Sequence, residues 1–241
     1  MNHLRPPLLL LLALSACGAR EEGLQLHLQL ALRPVGDAQV EGTTRHFTTD
    51  GGDRISLSRA HVTLSSVELF PCATSSARRW WHWLSPLGTA HAHSTSSPRR
   101  LGVPHVLGLE QPDGEVRVLG TLRPPPGSYC RARLVFGPAD ADAEGLATAG
   151  ADMEGKTLLL EGELLPAGGG SAQPFRLEGN GLASIELSLE GLSLDEDTPK
   201  ASRTIHLAYD RWLDGVALAT AGAADQVLRN LAESATMEPS P

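Results

Sequence analysis

Leu24, Leu26, Leu28, Leu30 and Leu32 alternate with Gln25, His27, Gln29, Ala31 and Arg33. A period of two puts all the leucines on one face of an extended chain, whereas a helix would scatter them around its circumference. The segment therefore reads as a half-buried strand, and its apolar face needs a second layer to cover it. Residues 54–70 extend the pattern with an interruption. Val62 and Leu64 share one parity, while Val67 and Leu69 share the other. Unless one residue is inserted at Ser65-Ser66 the apolar face would turn outward, so a β-bulge is expected there.

The remaining chain repeats this grammar in short pieces. Asp50-Gly51-Gly52-Asp53 is a turn, and Pro112-Asp113-Gly114 predicts a tight hairpin between strands at 106–109 and 116–119. Pro124-Pro125-Pro126-Gly127 forces an extended approach and then a turn. Residues 128–136 read as a central strand with Cys130, Ala132, Leu134 and Phe136 pointing inward. Further strands are expected at 158–165, 175–177 and 185–194, separated by Gly168-Gly169-Gly170-Ser171 and Asn180-Gly181. Ile205, Leu207 and Tyr209 form one more alternating set. The period then changes, so short helices are expected at 210–213 and 226–234, with Trp212 anchoring the second and residues 237–241 fraying. Together these elements predict an all-β chain: an antiparallel Greek-key β-sandwich with a long loop insertion and short C-terminal helices. No linker divides it, so residues 24–236 are expected to form a single domain.

The N-terminus speaks to compartment. Arg5 precedes a short apolar run at 8–14, and Leu14-Ser15-Ala16-Cys17 follows at once. The run is shorter than the ~20 apolar residues of a spanning helix and reads as a signal peptide over residues 1–16. Its end resembles a bacterial lipobox, which implies lipidation of Cys17, a short tether over 17–23 and a membrane attachment through lipid. Gly18 after the cysteine is compatible with the outer membrane, facing the periplasm or the cell surface. Cys72 and Cys130 remain, and in an oxidising compartment they are expected to pair; a pair of thiolate metal ligands is the alternative. The formal net charge is −8 and the basic runs are mere dipeptides, which argues against nucleic acid as a partner.

The insertion between the two cysteines carries the chemistry. Trp80, Trp81 and Trp83 are three of the four tryptophans, and His82, His91, His93 and His105 are four of the nine histidines. His91 and His93 lie two apart, so in an extended segment both face one side and can chelate one ion. Neutral imidazole suits copper and zinc, with His82, His105 or Met153 completing the shell. A solvated loop holding its histidines by composition is the plainer reading, and a satellite core is the plainer reading of the tryptophans. His27, His61 and His206 sit on strands and read as packed or surface residues. Asp140, Asp142 and Glu144 read as an acidic loop, with calcium as the alternative. There is no G-x-S-x-G elbow, H-E-x-x-H or phosphate loop, so no enzyme is expected.

Four pieces taken in order resemble the MbnP-like family of periplasmic copper-binding lipoproteins. They are the strand from Ile55 to Phe70; Pro126-Gly127-Ser128-Tyr129 followed by Val135-Phe136-Gly137; Met153 followed by Leu158-Leu159-Leu160-Glu161-Gly162; and the stretch from Ile205 to Gly215. The resemblance implies a periplasmic copper-binding lipoprotein and assigns Met153 to the site. Two departures qualify it. Glu154-Gly155-Lys156 stands where family members often carry tryptophans, and Glu178 or a neighbour stands where they often carry a histidine. The expectation is thus a non-catalytic, lipid-anchored copper protein. A structural or protein-interaction lipoprotein without metal is the alternative.

Overall fold

The computed structural model describes residues 23–72, 97–147, 149 and 153–240. The strands are β1 (Gln25–Leu32), β2 (Gln39–Glu41), β3 (Thr44–Thr48), β4 (Arg54–Pro71), β5 (Arg100–Leu101), β6 (His105–Gly108) and β7 (Arg117–Leu122). They continue with β8 (Gly127–Phe136), β9 (Leu158–Leu165), β10 (Gln173–Gly179), β11 (Ala183–Leu194) and β12 (Lys200–Leu207). A 3₁₀ turn at Tyr209–Arg211 and helix α1 (Ala223–Glu233) precede β13 (Ala235–Pro239). Two sheets face each other in an all-β sandwich. The smaller has the order β13-β12-β1-β7, and the larger is assembled around β4.

β4 is the hub because it is 18 residues long and lends each half to different neighbours. Its first half pairs with β3 and β9, and its second half with β6, β5 and β8. Two register shifts keep its apolar face turned inward: one between Leu57 and Arg59 against β9, one between Leu64 and Ser66 against β8. Accordingly the buried set runs Ile55, Leu57, then Ala60, Val62, Leu64, then Val67, Leu69. The second bulge is the one expected at Ser65-Ser66; the first adds a slip of the same kind. These side chains meet Leu26, Leu28 and Leu30 of β1 in the central core. The helix lays Val227, Leu228 and Leu231 on this core, and Trp212 is held to the helix end by its indole N–H donating to Ser234 Oγ at 3.2 Å.

Four details differ from expectation. Pro112-Asp113-Gly114 is no hairpin: β6 joins β4 while β7 joins β1, so this segment carries the chain from one sheet to the other. Cys130 does not point inward. Register shifts beside it on both β4 and β11 give the inward place to Tyr129, leaving Cys130 exposed at the surface. β1 and β12 run parallel, the one parallel pair between named strands. Finally the C-terminus pairs instead of fraying, with Met237 opposite Ile205 and Pro239 opposite Arg203.

Where the chain crosses between sheets, a polar network pins it. Arg45, 1% exposed, donates from Nε to Asp113 Oδ1 at 2.7 Å and from Nη2 to the Gln111 carbonyl at 2.7 Å. The Tyr209 hydroxyl donates to Asp113 Oδ2 at 2.5 Å, and burial, ahead of Asp113, raises the phenol's pKa far above its usual range. Both carboxylate oxygens of Asp113 are thus occupied, which is what a buried ion pair needs to be tolerated.

Candidate functional site

The insertion begins and ends on the same stretch of β4. At its start, Cys72 is disulfide-bonded to Cys130 of β8, with their Cα atoms 4.8 Å apart, and Cys72 N–H donates to the Ser128 carbonyl. At its end, Ser97 and Arg100 close a turn, and β5 pairs Leu101 with Val67 and Arg100 with Glu68. Leu69 N–H donates to the Arg99 carbonyl at 2.9 Å, which places the returning chain a few residues from the departing one. Beside this base, the guanidinium carbons of Arg131 and Arg133 lie 5.7 and 4.9 Å from the Phe70 ring centroid, and both arginines pair with Glu186. The disulfide is therefore a staple at the root of the excursion, the pairing expected of the two cysteines other than Cys17.

His82, His91 and His93 lie outside the described residues, as do Cys17, Trp80, Trp81 and Trp83. His105 and Met153 are described, and the fold does not bring them together. His105 does not belong to a loop; it opens β6, opposite Leu64. Its neighbour Val106 packs with Met153, Ala139, Ala143 and Leu159 in a small second core outside the large sheet. Successive strand residues point to opposite faces. The His105 imidazole therefore leaves β6 on the side away from the methionine.

That second core exists because residues 137–147 and 153–157 fold back over β4. Thr63 N–H donates to the Thr157 carbonyl and Thr63 Oγ1 to the Lys156 carbonyl, while Gly137 N–H donates to the Thr63 carbonyl. Residues on the outward face of β4, polar by pattern, are thereby buried. His61, 1% exposed, is the consequential one. It stands opposite Gly108 of β6 and Leu159 of β9. Its Nε2 lies 3.2 Å from Glu110 Oε1 and 3.3 Å from Arg59 Nε, while Nδ1 has no partner. Those two neighbours make incompatible demands. Glu110 needs a proton on Nε2, and the Arg59 N–H needs a lone pair there. Burial first, then Arg59, lowers the His61 pKa, against the opposing pull of Glu110 and Glu161.

A cavity of about 220 Å³ opens over this imidazole. Glu110, Gln111 and Arg117 supply its polar wall; Val106, Gly145 and Ala149 supply its small and apolar one. Two glycines keep this space open. A β-carbon at Gly108 would overlap the Glu110 carboxylate, and Gly145, at φ +83°, would drive one into the Val106 carbonyl and the Arg117 guanidinium. On the opposite face of the ribbon, His105 is also 1% exposed, and neither ring nitrogen makes a hydrogen bond of good geometry. Glu144 Oε2 faces Nδ1 at 3.5 Å. Burial lowers this pKa too, with Glu144 opposing and Arg117 assisting.

His61 and His105 are thus neutral, lone-pair-bearing imidazoles, which metals favour, but they leave opposite faces of one two-stranded ribbon. Among the described residues, no three His, Cys, Asp or Glu side chains gather as a metal would require. Glu144 is committed to β6 through its backbone, and Asp140 accepts from the Asp142 N–H, so the acidic loop is held by its own backbone contacts. Reading the sequence alone missed His61, Glu110 and Arg117. The one signal available was a histidine on the outward parity of β4, and its burial depends on a flap whose docking the local pattern does not encode. No protein-family model, curated protein or solved structure matches the chain. Fold and site together define a disulfide-stapled two-sheet sandwich with a flap-covered polar pocket.

Proposed function

We propose that the chain is a lipid-anchored protein of a bacterial envelope that holds a transition metal, copper ahead of zinc, without catalysing a reaction. The carrying observation is the stapled root of residues 73–96: both ends are tied to the same part of β4, by Cys72–Cys130 and by β5. Tying both ends lowers the entropy lost when His82, His91 and His93 close on one ion. In this reading the sandwich is a rigid mount and the excursion supplies the imidazoles. His105 and Met153 support the root through β6 and the second core and are not ligands. The lipobox-like Cys17 gives the membrane attachment.

The test is competitive copper titration of the purified mature protein, beside His82→Ala/His91→Ala/His93→Ala and Cys72→Ser/Cys130→Ser variants. One equivalent of tightly held copper, lost in the triple variant and weakened in the unstapled one, is expected. Equal uptake by the parent and the triple variant would contradict the assignment, and it would favour an interaction protein without a metal site in the excursion.

A further inference from the structure

The pocket over His61 lies in the described fold and does not depend on the metal reading. Its two flanking charges are opposite in sign and not paired with each other. Among the described residues, Glu110 reaches only the His61 ring, and Arg117 reaches only the Val106 carbonyl, at 3.0 Å. A fully buried imidazole with an unpartnered Nδ1 lines the same cavity. Buried polar atoms are seldom left without a partner unless a ligand or water takes them. A larger groove of about 650 Å³, near Asp37, Glu41, His46 and Glu163, holds no such atom.

We propose that this pocket binds a small zwitterion of the α-amino acid class. The ligand's ammonium sits on the Glu110 carboxylate, and its carboxylate accepts from the Arg117 guanidinium and from His61 Nδ1–H. Such a ligand resolves the conflict at Nε2. Once the ammonium engages Glu110, Nε2 is released to accept from Arg59, and the ring proton moves to Nδ1, where the ligand's carboxylate takes it. A lone anion would leave Glu110 facing a lone pair, and a lone cation would leave Arg117 and Nδ1 unanswered. Size agrees. The cavity, about 220 Å³, falls below the ~300–1,000 Å³ of sites that take drug-sized molecules, so a small ligand suits it.

Titration calorimetry and ligand-observed NMR of the mature protein with glycine, L-alanine, L-serine and L-valine test this, with acetate, methylammonium and zinc as single-charge probes. Saturable binding of at least one amino acid is expected, with none by acetate or methylammonium at equal concentration. Glu110→Gln and Arg117→Met should each weaken it by about tenfold or more, the size expected for losing a hydrogen bond to a charged group. Both side chains reach solvent, and an unchanged melting midpoint would show that each variant is folded; Glu110→Asp should retain part of the affinity. Absence of saturable binding across the amino acids overturns the proposal, as does binding that both variants leave unchanged. Acetate binding as tightly as alanine overturns it in favour of an anion site. Zinc binding lost in Glu110→Gln, without amino-acid binding, overturns it in favour of a cation site. None of these outcomes touches the copper reading, which is probed by the excursion's histidines.

Discussion

Two buried polar centres sit on either side of the large sheet, and they are built on opposite rules. At the crossing between sheets, Arg45, Asp113 and Tyr209 form a closed set in which both carboxylate oxygens accept from a buried donor. Over the outer face, Arg59 and Glu110 compete for one nitrogen of His61 while the other is left without a partner. The first centre holds the fold and has nothing left to offer a ligand. The second is incomplete as folded, which is the condition of a place that receives something. A half-satisfied network is a poor structural device, and its persistence in a buried position points to use.

The sharpest way to break this contrast is Asp113→Ala. It leaves the Arg45 guanidinium buried and unpaired, and it should lower unfolding free energy by about 3 kcal/mol, measured by denaturant titration. A loss under ~1 kcal/mol would mean that the closed centre is not structural. Removing the staple with Cys72→Ser/Cys130→Ser is the next largest effect. The closed loop spans 58 residues, and a loss of about 2–4 kcal/mol is expected. Because Cys130 is at the surface, that loss should come without the cavity penalty of a core substitution.

Acidification sharpens the comparison from another side. His61 and His105 both have pKa values lowered from 6.5, so the unfolded chain takes up protons first as pH falls. Their stabilising contribution is complete above that value and is lost progressively below it, by up to about 1.4 kcal/mol per histidine for each pH unit. Glu110, Arg59 and Glu161 surround the one ring; Glu144 and Arg117 face the other. Melting curves between pH 7 and pH 5 should therefore fall more steeply for the parent than for His105→Gln, and parallel curves would remove His105 from the explanation. The smallest expected effect is Glu110→Gln. A glutamine can donate or accept at His61, so stability should change by less than about 0.5 kcal/mol even though the residue contacts a buried ring. A large loss would place the outer centre with the inner one as a structural device.

How far the sequence foretold this depends on the range of the cause. Alternation in β1 and the slip at Ser65-Ser66 were readable because side-chain parity is local, and the glycine turns after β9 and β10 were readable for the same reason. The role of Asp113 was not. A Pro-Asp-Gly turn serves a hairpin or a crossover equally well, and here Arg45 and Tyr209, far away in the chain, decide. Cys130 was assigned the wrong face because register shifts on two neighbouring strands outvoted the parity of its own. The pocket was hidden for a similar reason. Nothing near His61 in sequence announces that residues 137–147 and 153–157 will cover it, or that Gly108 will make room for Glu110. Covering and room are tertiary facts.

The two nitrogens of the buried His61 imidazole can be observed directly. Long-range ¹H–¹⁵N correlation spectra of uniformly labelled protein at pH 7.5, recorded without and with saturating L-alanine, report which nitrogen carries the proton. Exchange between the two neutral tautomers in the free protein, collapsing to a single Nδ1–H form with ligand, is the predicted result. A ring already fixed as Nε2–H on Glu110 and indifferent to the amino acid would contradict it.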